Sequence, residues 1–278
     1  GIAKQRDCSC TQSCLDGAGD EVGRAGGAGG VFGRTDAQKI CRHCFFANER
    51  GGRLTGLNGN LLKHTAHQAV QGLYIVTPDW DNDAELLTAT EQAILGGAQW
   101  VQYRHKTASA EQRFRQAGAL QDLCRAQNVP LIVNDDMVLC RRLNCDGVHV
   151  GSTDHPIEHV REYLGSDKII GASCYGSLEL AQAAKANGAS YIAFGGFYPS
   201  RVKQYEVSTQ VGIIKQAKAC IDLPVVVIGG MTADNCGLLI AQGADMVAVI
   251  SGVYGLSAEQ VDLAQVHRRA QAISDLFQ

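Results

Sequence analysis

The sequence predicts an α/β protein built on a (β/α)₈ TIM barrel over residues 71–278, preceded by a glycine- and cysteine-rich extension over residues 1–70. From Gly72 onward, short β-branched runs alternate with helical stretches. Such alternation calls for parallel strands joined by right-handed crossovers. Eight strand patterns in about 200 residues fit a closed barrel. An open doubly wound sheet fits less well, because no GxGxxG follows the first strand.

The predicted strands are short and apolar, as expected for strands that are buried on both faces. In chain order they cover residues 73–77, 100–104, 131–135, 147–150, 168–173, 191–196, 224–230 and 246–252. Helical patterns lie between them at residues 84–98, 111–128, 177–188 and 234–243, and a closing helix is predicted over residues 258–277.

The first 70 residues have many glycines and no sustained apolar period. Such a segment buries too little surface to offset its ordering entropy, so we expect most of it to be disordered. Cys41 and Cys44 form a CxxC followed by His64 and His67, which suggests zinc. However, the 19 residues between Cys44 and His64, and the short HxxH, fall outside the usual finger spacing. The sequence leaves open both the role of this segment and whether Cys41 and Cys44 bind metal.

Composition narrows the class of protein. A net charge of −3 and a pI near 6.2 argue against a general nucleic-acid binder. The sequence has neither an apolar run long enough to span a bilayer nor the charged start and apolar centre of a signal peptide. Cysteines beyond the extension lie in apolar or helical contexts, which indicates reduced thiols. We therefore expect a soluble, cytoplasmic protein.

The most informative stretch is WVQYRHK, from Trp100 to Lys106. It reads as a buried strand with polar groups at every second position, Gln102, Arg104 and Lys106. Because side chains alternate faces along a strand, these three point the same way. Two cations and an amide at a strand end suit a phosphate or diphosphate. The alternative is an edge strand with solvated charges.

Polar residues also follow the other predicted strands, at the end where barrels carry their chemistry. Their positions are Asn134, Asp135, Asp136, Asp154, Ser173, Ser200, Lys203, Gly229, Gly230, Ile250, Ser251 and Gly252. The loops after the last two strands suit one phosphate, since glycines let the backbone approach a ligand and helix N-termini favour anions. On the opposite arc, two carboxylates beside two cations make sense if Mg²⁺ bridges Asp135 and Asp154 to phosphate oxygens.

Other interpretations apply to several of these residues. Asn134 and Asp135 could cap a helix that begins near Asp136, and Asp154 could cap a helix after Pro156. His149 is interpreted as a packed barrel residue rather than a catalyst. Tyr103 and His105 alternate away from the strand's polar face and are interpreted as packing groups.

Seven motifs in order over residues 72–257 resemble the thiamine phosphate synthase family. QYRHK is similar to the family's QxRxK, IVNDD to its NDD segment, CDGVHVGSTD to DGVHxGxxD, and IIGAS to IGxS. FYPSRVK is similar to its phosphate loop, and VVVIGGM and VAVISG to its last two loops. Such a series is far more specific than any one motif.

The resemblance implies that an aminopyrimidine methyl diphosphate and a thiazole phosphate condense to thiamine phosphate and diphosphate. Diphosphate leaves first, and the thiazole nitrogen traps the resulting cation. The implied catalytic residues are Arg104, Lys106, Ser173 and Lys203. Those implied for the pyrimidine diphosphate are Gln102, Arg104, Lys106, Asn134, Ser173 and Lys203, and those for the thiazole phosphate are Ser200, Arg201, Val202, Gly230, Ile250 and Ser251. Asp135 and Asp154 would hold Mg²⁺. The partners are then two phosphorylated small molecules, with neither nucleic acid nor membrane, and a homo-oligomer stays open.

Two positions depart from the family pattern. Val202 stands where the family usually has threonine, which puts one phosphate hydrogen bond in doubt, and Ser152 replaces a common glutamine. Two other functions stay open. A thiazole tautomerase of the same fold would not need the diphosphate and metal residues. A non-catalytic sensor of phosphorylated ligands would lose its output if residues 1–70 were deleted, whereas an enzyme would keep its turnover.

Overall fold

The structure is a computed structural model that describes residues 70–151, 154–199, 209–256 and 261–278. In these ranges eight parallel strands close into a barrel in which each strand pairs with the next and the eighth pairs with the first. They are β1 Gly72–Val76, β2 Ala98–Tyr103, β3 Leu131–Asn134, β4 Gly147–Val150, β5 Ile169–Tyr175, β6 Tyr191–Gly195, β7 Val225–Ile228 and β8 Met246–Val249. The predicted barrel is confirmed. Residues 1–69 lie outside the described residues. The prediction of disorder and the Cys41–Cys44 pair both fall on that segment.

Helices follow the strands and cover the outside of the barrel. The described ones are α1 Asp83–Leu95, α2 Ala110–Gln127, α3 Met137–Leu143, α4 Ile157–Leu164, α5 Leu178–Ala186, α6 Ile213–Cys220, α7 Ala233–Ala241, α8 Ser251–Tyr254 and α9 Leu263–Ser274, with a 3₁₀ turn at Asp275–Phe277. Side chains of Asn82, Ser109 and Ser177 cap the starts of α1, α2 and α5 by accepting backbone N–H groups. None of the helices in the described ranges is both long and apolar enough to cross a membrane.

Several predicted boundaries were wrong by a few residues. The first helix ends at Leu95, and Ala98, assigned to it from sequence, begins β2. Strand β7 ends at Ile228, because the two glycines that follow have positive φ and turn the chain away. The closing helix begins at Leu263 behind its capping residue Asp262, and positions 257–260 lie outside the described residues. Helices α6 and α8 were not predicted, because eight and four residues carry little periodicity.

The core has two layers, which explains why the strands lack a polar face. Leu73 and Ile75 point outward and pack under the helices, while Tyr74 and Val76 point into the barrel. All four are at most 1% exposed. Burying an aliphatic side chain of this size contributes roughly 1.5–3 kcal/mol. This alternation fixes which side chains of each strand reach the interior.

The end of β2 is held to β1 beyond the last paired residue. The buried Thr77 hydroxyl donates to the carbonyl oxygen of Arg104 (3.0 Å) and accepts the backbone N–H of the same residue (2.8 Å). These bonds extend the contact between the two chain segments to Arg104, and Lys106 lies in the bend that follows. The carboxyl end of β2 therefore presents its polar residues on one side.

Candidate functional site

A cavity of about 800 Å³ opens at the carboxyl ends of the strands, and all eight strands contribute to its lining. Every predicted site residue that the structure describes lies on it: Gln102, Arg104, Lys106, Asn134, Asp135, Asp154, Ser173, Gly230, Ile250 and Ser251. The remaining predicted residues, Ser200, Arg201, Val202 and Lys203, lie outside the described residues. These ten residues therefore share one cavity, whereas Asp136, which also follows a strand, does not line it.

Arg104 is buried and held by a carboxylate that the sequence reasoning missed. Both oxygens of Asp79 accept hydrogen bonds from Arg104 Nη1, at 3.0 and 2.9 Å, and Oδ1 also accepts the Lys106 backbone N–H at 2.8 Å. Arg104 Nε is buried and has no hydrogen-bond partner within the described part of the chain. Asp79 therefore fixes the guanidinium at the cavity wall, where its positive charge suits an anionic ligand.

Lys106 and Asp135 form an ion pair on the wall of the cavity. Lys106 Nζ lies 2.6 Å from Asp135 Oδ2, which also accepts a hydrogen bond of 2.6 Å from the Asn134 side chain. Asp135 has a φ of 61°, a left-handed conformation that aspartate tolerates better than most residues. This backbone turn directs the carboxylate toward Lys106 rather than toward the following helix.

Asp154 lies against Asp135, close enough for the two carboxyl groups to share a hydrogen bond. Burial raises the pKa of Asp154, and the hydrogen bond with Asp135 raises it further. Burial also acts to raise the pKa of Asp135, but the hydrogen bonds with Lys106 and Asp154 outweigh it and hold that pKa below its ordinary value. Two acids this close repel each other when both are ionised, so the pair favours a proton or a cation.

The capping interpretation of these carboxylates is wrong. The residue that caps α3 is Asp136, whose side chain accepts the Leu139 N–H at 2.8 Å. Helix α4 begins after Pro156 and has no side-chain cap, while Asp154 accepts the Gly151 N–H at 2.6 Å. Neither Asp135 nor Asp154 is needed to start a helix, which leaves both for the cavity.

Among the described residues, the opposite wall is formed by backbone rather than by charged side chains. Gly230 has a φ of 65°, and a Cβ built on it would collide with the carbonyl oxygen of Pro199. Only glycine fits this turn without displacing the loop. Ile250 and Ser251 lie at the start of α8, where the first N–H groups have no partner inside the helix. Such groups suit the oxygens of a phosphate.

His149 is buried as predicted, but it lies on the cavity wall rather than in the packed core alone. Its Nε2 is 2.8 Å from Ser173 Oγ, and its Nδ1 is 2.9 Å from the Tyr191 hydroxyl. Tyr103 and His105 are buried and do not line this cavity, in agreement with their interpretation as packing groups. The signal for His149 was the period of two along β4, in which it alternates with the core residues Val148 and Val150, and the sequence reasoning did not use it.

The fold and the cavity define a (β/α)₈-barrel enzyme whose site, at the carboxyl ends of the strands, is suited to anionic small molecules. The chain belongs to the thiamine monophosphate synthase family, which it matches over residues 73–253.

Two curated relatives and one solved structure illustrate the similarity. The thiamine-phosphate synthase of Janthinobacterium sp. (strain Marseille) is 57% identical over 185 residues, covering 66% of this chain and 89% of that protein. The thiamine-phosphate synthase of Chromobacterium violaceum is 47% identical over 185 residues, with the same coverage. The solved thiamine phosphate pyrophosphorylase from Pyrococcus furiosus has a TM-score of 0.64 and 28% identity, covering 75% of this chain and 96% of that one.

Proposed function

We propose that this protein condenses 4-amino-2-methyl-5-(diphosphooxymethyl)pyrimidine with 4-methyl-5-(2-phosphooxyethyl)thiazole to give thiamine phosphate and diphosphate. The observation that carries the proposal is one cavity with a cationic and acidic wall facing a glycine-rich backbone wall. The first wall suits a diphosphate, and the second suits a single phosphate. Family membership and the identity to thiamine-phosphate synthases support the same reaction.

The cationic wall would bind the diphosphate and stabilise it as it leaves. Arg104 is held at the wall by Asp79, and Lys106 projects beside it with a side chain that is 51% exposed. Both cations would then sit where negative charge develops as the bond between the pyrimidine methylene carbon and the diphosphate oxygen breaks. Because this preorganised charge is already in place, it lowers the barrier to that cleavage. Lys203, from the resemblance, would join them.

The paired carboxylates fit a magnesium ion. Asp135 and Asp154 are a hard-oxygen donor set whose mutual repulsion a cation would relieve. In the described ranges no group of three or more His, Cys, Asp or Glu side chains is arranged to hold a metal, so phosphate oxygens and water would supply the other ligands. When bound, Mg²⁺ would neutralise charge on the diphosphate.

The remaining wall residues would orient the two substrates for carbon–nitrogen bond formation. Gln102, Asn134 and Ser173 offer amide and hydroxyl groups for the pyrimidine, while Gly230, Ile250 and Ser251 would place the thiazole phosphate. The electron pair of the cleaved bond leaves with diphosphate, and the thiazole nitrogen lone pair forms the new bond to the methylene carbon. The protein supplies position and charge rather than a covalent intermediate.

Cytoplasmic location is part of the proposal. Cys124, Cys140, Cys145, Cys174 and Cys236 are free and buried, which suits a reducing compartment.

The test is to mix the purified full-length chain with both phosphorylated heterocycles and to measure thiamine phosphate chromatographically. We expect product only when both substrates are present, with loss of turnover in excess chelator and recovery on adding Mg²⁺. Absence of product under all conditions would overturn the proposed reaction. Full turnover in excess chelator would overturn the metal assignment without contradicting the proposed reaction.

A further inference from the structure

A continuous chain of hydrogen bonds runs through the barrel between two cavity residues. Gln102 Nε2 donates to the Tyr74 hydroxyl at 2.7 Å, and the hydroxyls of Tyr74 and Tyr191 are 3.0 Å apart. The Tyr191 hydroxyl lies 2.9 Å from His149 Nδ1, and His149 Nε2 lies 2.8 Å from Ser173 Oγ. We call this series the relay. Its five residues come from five different strands, so it forms only in the closed barrel.

Close packing holds the relay in one geometry. The Tyr191 ring stacks on His149 with centroids 5.6 Å apart and meets Trp100 edge-on at 5.4 Å. On the neighbouring strand, a Cβ built on Gly171 would overlap the Tyr191 ring, so only glycine leaves room for it. Tyr74 and Tyr191 are at most 1% exposed. The rings therefore have little freedom to exchange hydrogen-bond partners.

The hydrogen-bond donors of the relay can be ordered in one direction. Burial raises the pKa of both tyrosines, so each stays a neutral phenol with one hydrogen to donate. Because Gln102 donates to Tyr74, the Tyr74 hydrogen is left for Tyr191. The Tyr191 hydrogen is then left for His149 Nδ1. With the Gln102 amide nitrogen toward Tyr74, the reverse order would leave the buried Tyr74 hydrogen without an acceptor among the described residues, which folded proteins avoid.

We propose that Tyr74, Tyr191 and His149 are positioning residues that fix Gln102 as a hydrogen-bond acceptor, and Ser173 as a hydrogen-bond donor, toward the substrate. Because His149 Nδ1 accepts from Tyr191, the neutral imidazole carries its hydrogen on Nε2 and donates it to Ser173 Oγ. The Ser173 hydrogen is then left for the cavity. At the other end, the amide nitrogen of Gln102 is engaged with Tyr74, which leaves its carbonyl oxygen for the cavity.

An acceptor at Gln102 and a donor at Ser173 suit an aminopyrimidine, and they exclude a nucleophilic role for Ser173. An aminopyrimidine offers an amino group to an acceptor and ring nitrogens to a donor, so the inference rests on the proposed function for its ligand. The Ser173–His149 contact resembles an activated nucleophile, but an Nε2 that already carries hydrogen cannot take the serine proton. Ser173 therefore binds rather than attacks, in keeping with a reaction that has no covalent intermediate.

The direct test is the protonation site of His149, measured by ¹⁵N NMR on the full chain labelled at histidine. The signal is assigned by its loss in His149→Gln, since the chain has eight histidines. We expect hydrogen on Nε2 and none on Nδ1 in the wild type. Tyr74→Phe keeps this state, because Tyr191 can still donate, whereas Tyr191→Phe gives a mixture of tautomers. Hydrogen on Nδ1 in the wild type would overturn the relay.

Kinetics supply the second test, with a matched control. Tyr191→Phe should lower kcat/KM for the pyrimidine diphosphate about tenfold, the effect of one misdirected buried hydrogen bond, and leave KM for the thiazole phosphate within about twofold. Tyr254→Phe removes another buried phenol hydroxyl, which forms a hydrogen bond of 2.9 Å with the Thr90 hydroxyl. Neither Tyr254 nor Thr90 lines the cavity. It should lower stability and leave both kinetic constants unchanged.

The outcomes separate the relay from the proposed function. Unchanged kinetics in Tyr191→Phe would overturn the positioning role. A wild-type protein that makes no thiamine phosphate would instead overturn the proposed function, and the His149 tautomer would still decide whether the relay has the stated direction.

Discussion

Replacing Gly230 with alanine tests the backbone wall of the cavity. Gly230 has a φ of 65°, and its missing Cβ would collide with the Pro199 carbonyl oxygen and lie 3.0 Å from Tyr198 Cβ. The left-handed conformation costs a non-glycine residue about 1–2 kcal/mol. Relief of the collision requires the loop after β7 to move away from that after β6. We therefore expect Gly230→Ala to displace the backbone groups assigned to the thiazole phosphate.

The magnitude follows from these two terms. A loss of about 2 kcal/mol in unfolding free energy lowers Tm by about 4–8 °C in a domain of this size. Displacing one hydrogen bond to a charged phosphate costs about 1.5–3 kcal/mol, so KM for the thiazole phosphate should rise about tenfold to a hundredfold. KM for the pyrimidine diphosphate, which we assign to the other wall, should change little.

Gly165→Ala is the matched control. Gly165 has a φ of 91°, a Cβ added to it would meet no other group within 4 Å, and it lies at the end of α4 outside the cavity lining. It should lose stability through backbone strain without any change in KM. Steady-state kinetics with each substrate varied in turn, together with thermal unfolding, measure both effects. Wild-type KM for the thiazole phosphate in Gly230→Ala would refute the assignment of this wall.

Three further predictions concern the acidic pair, the cationic wall and the N-terminal extension. Asp135→Asn should raise the Mg²⁺ concentration for half-maximal rate at least about tenfold, because one of two carboxylates is lost; full activity at limiting Mg²⁺ would contradict the metal assignment. Lys106→Ala should raise KM chiefly for the pyrimidine diphosphate, whereas Lys185→Ala, which breaks an ion pair of the same 2.6 Å length away from the cavity, should have no kinetic effect. Equal effects of the two would mean that Lys106 acts only as a surface charge. Mutating Cys41 and Cys44 to serine should leave the rate unchanged, and a joint loss of bound zinc and activity would show that the extension matters.

The barrel and the membership of the cavity could be predicted because both follow from local patterns. Eight apolar runs separated by helical segments specify parallel strands, and the period of two places Gln102 and Arg104 on one side of β2. Since every parallel strand of a barrel ends at the same rim, residues at strand ends meet there whatever the details of packing. The family resemblance implied a role for each residue, which spacing alone does not supply.

Capping could not be decided from the sequence. Asn134, Asp135 and Asp136 are adjacent polar residues, and each has a side chain able to cap a helix. The positive φ of Asp135 turns its carboxylate toward Lys106, and Asp136 takes the cap. Which of these three residues caps α3 depends on a backbone angle that the connection between β3 and α3 sets.

The sequence by itself determined the barrel and the rim on which its polar residues gather, because periodicity is a property of neighbouring residues. Only the tertiary structure decided the partners of those residues. The Arg104–Asp79 pair joins positions 25 apart, and the His149–Tyr191 contact joins positions 42 apart. Contacts of that range depend on how the closed barrel brings strands together, and no local pattern of residues encodes them.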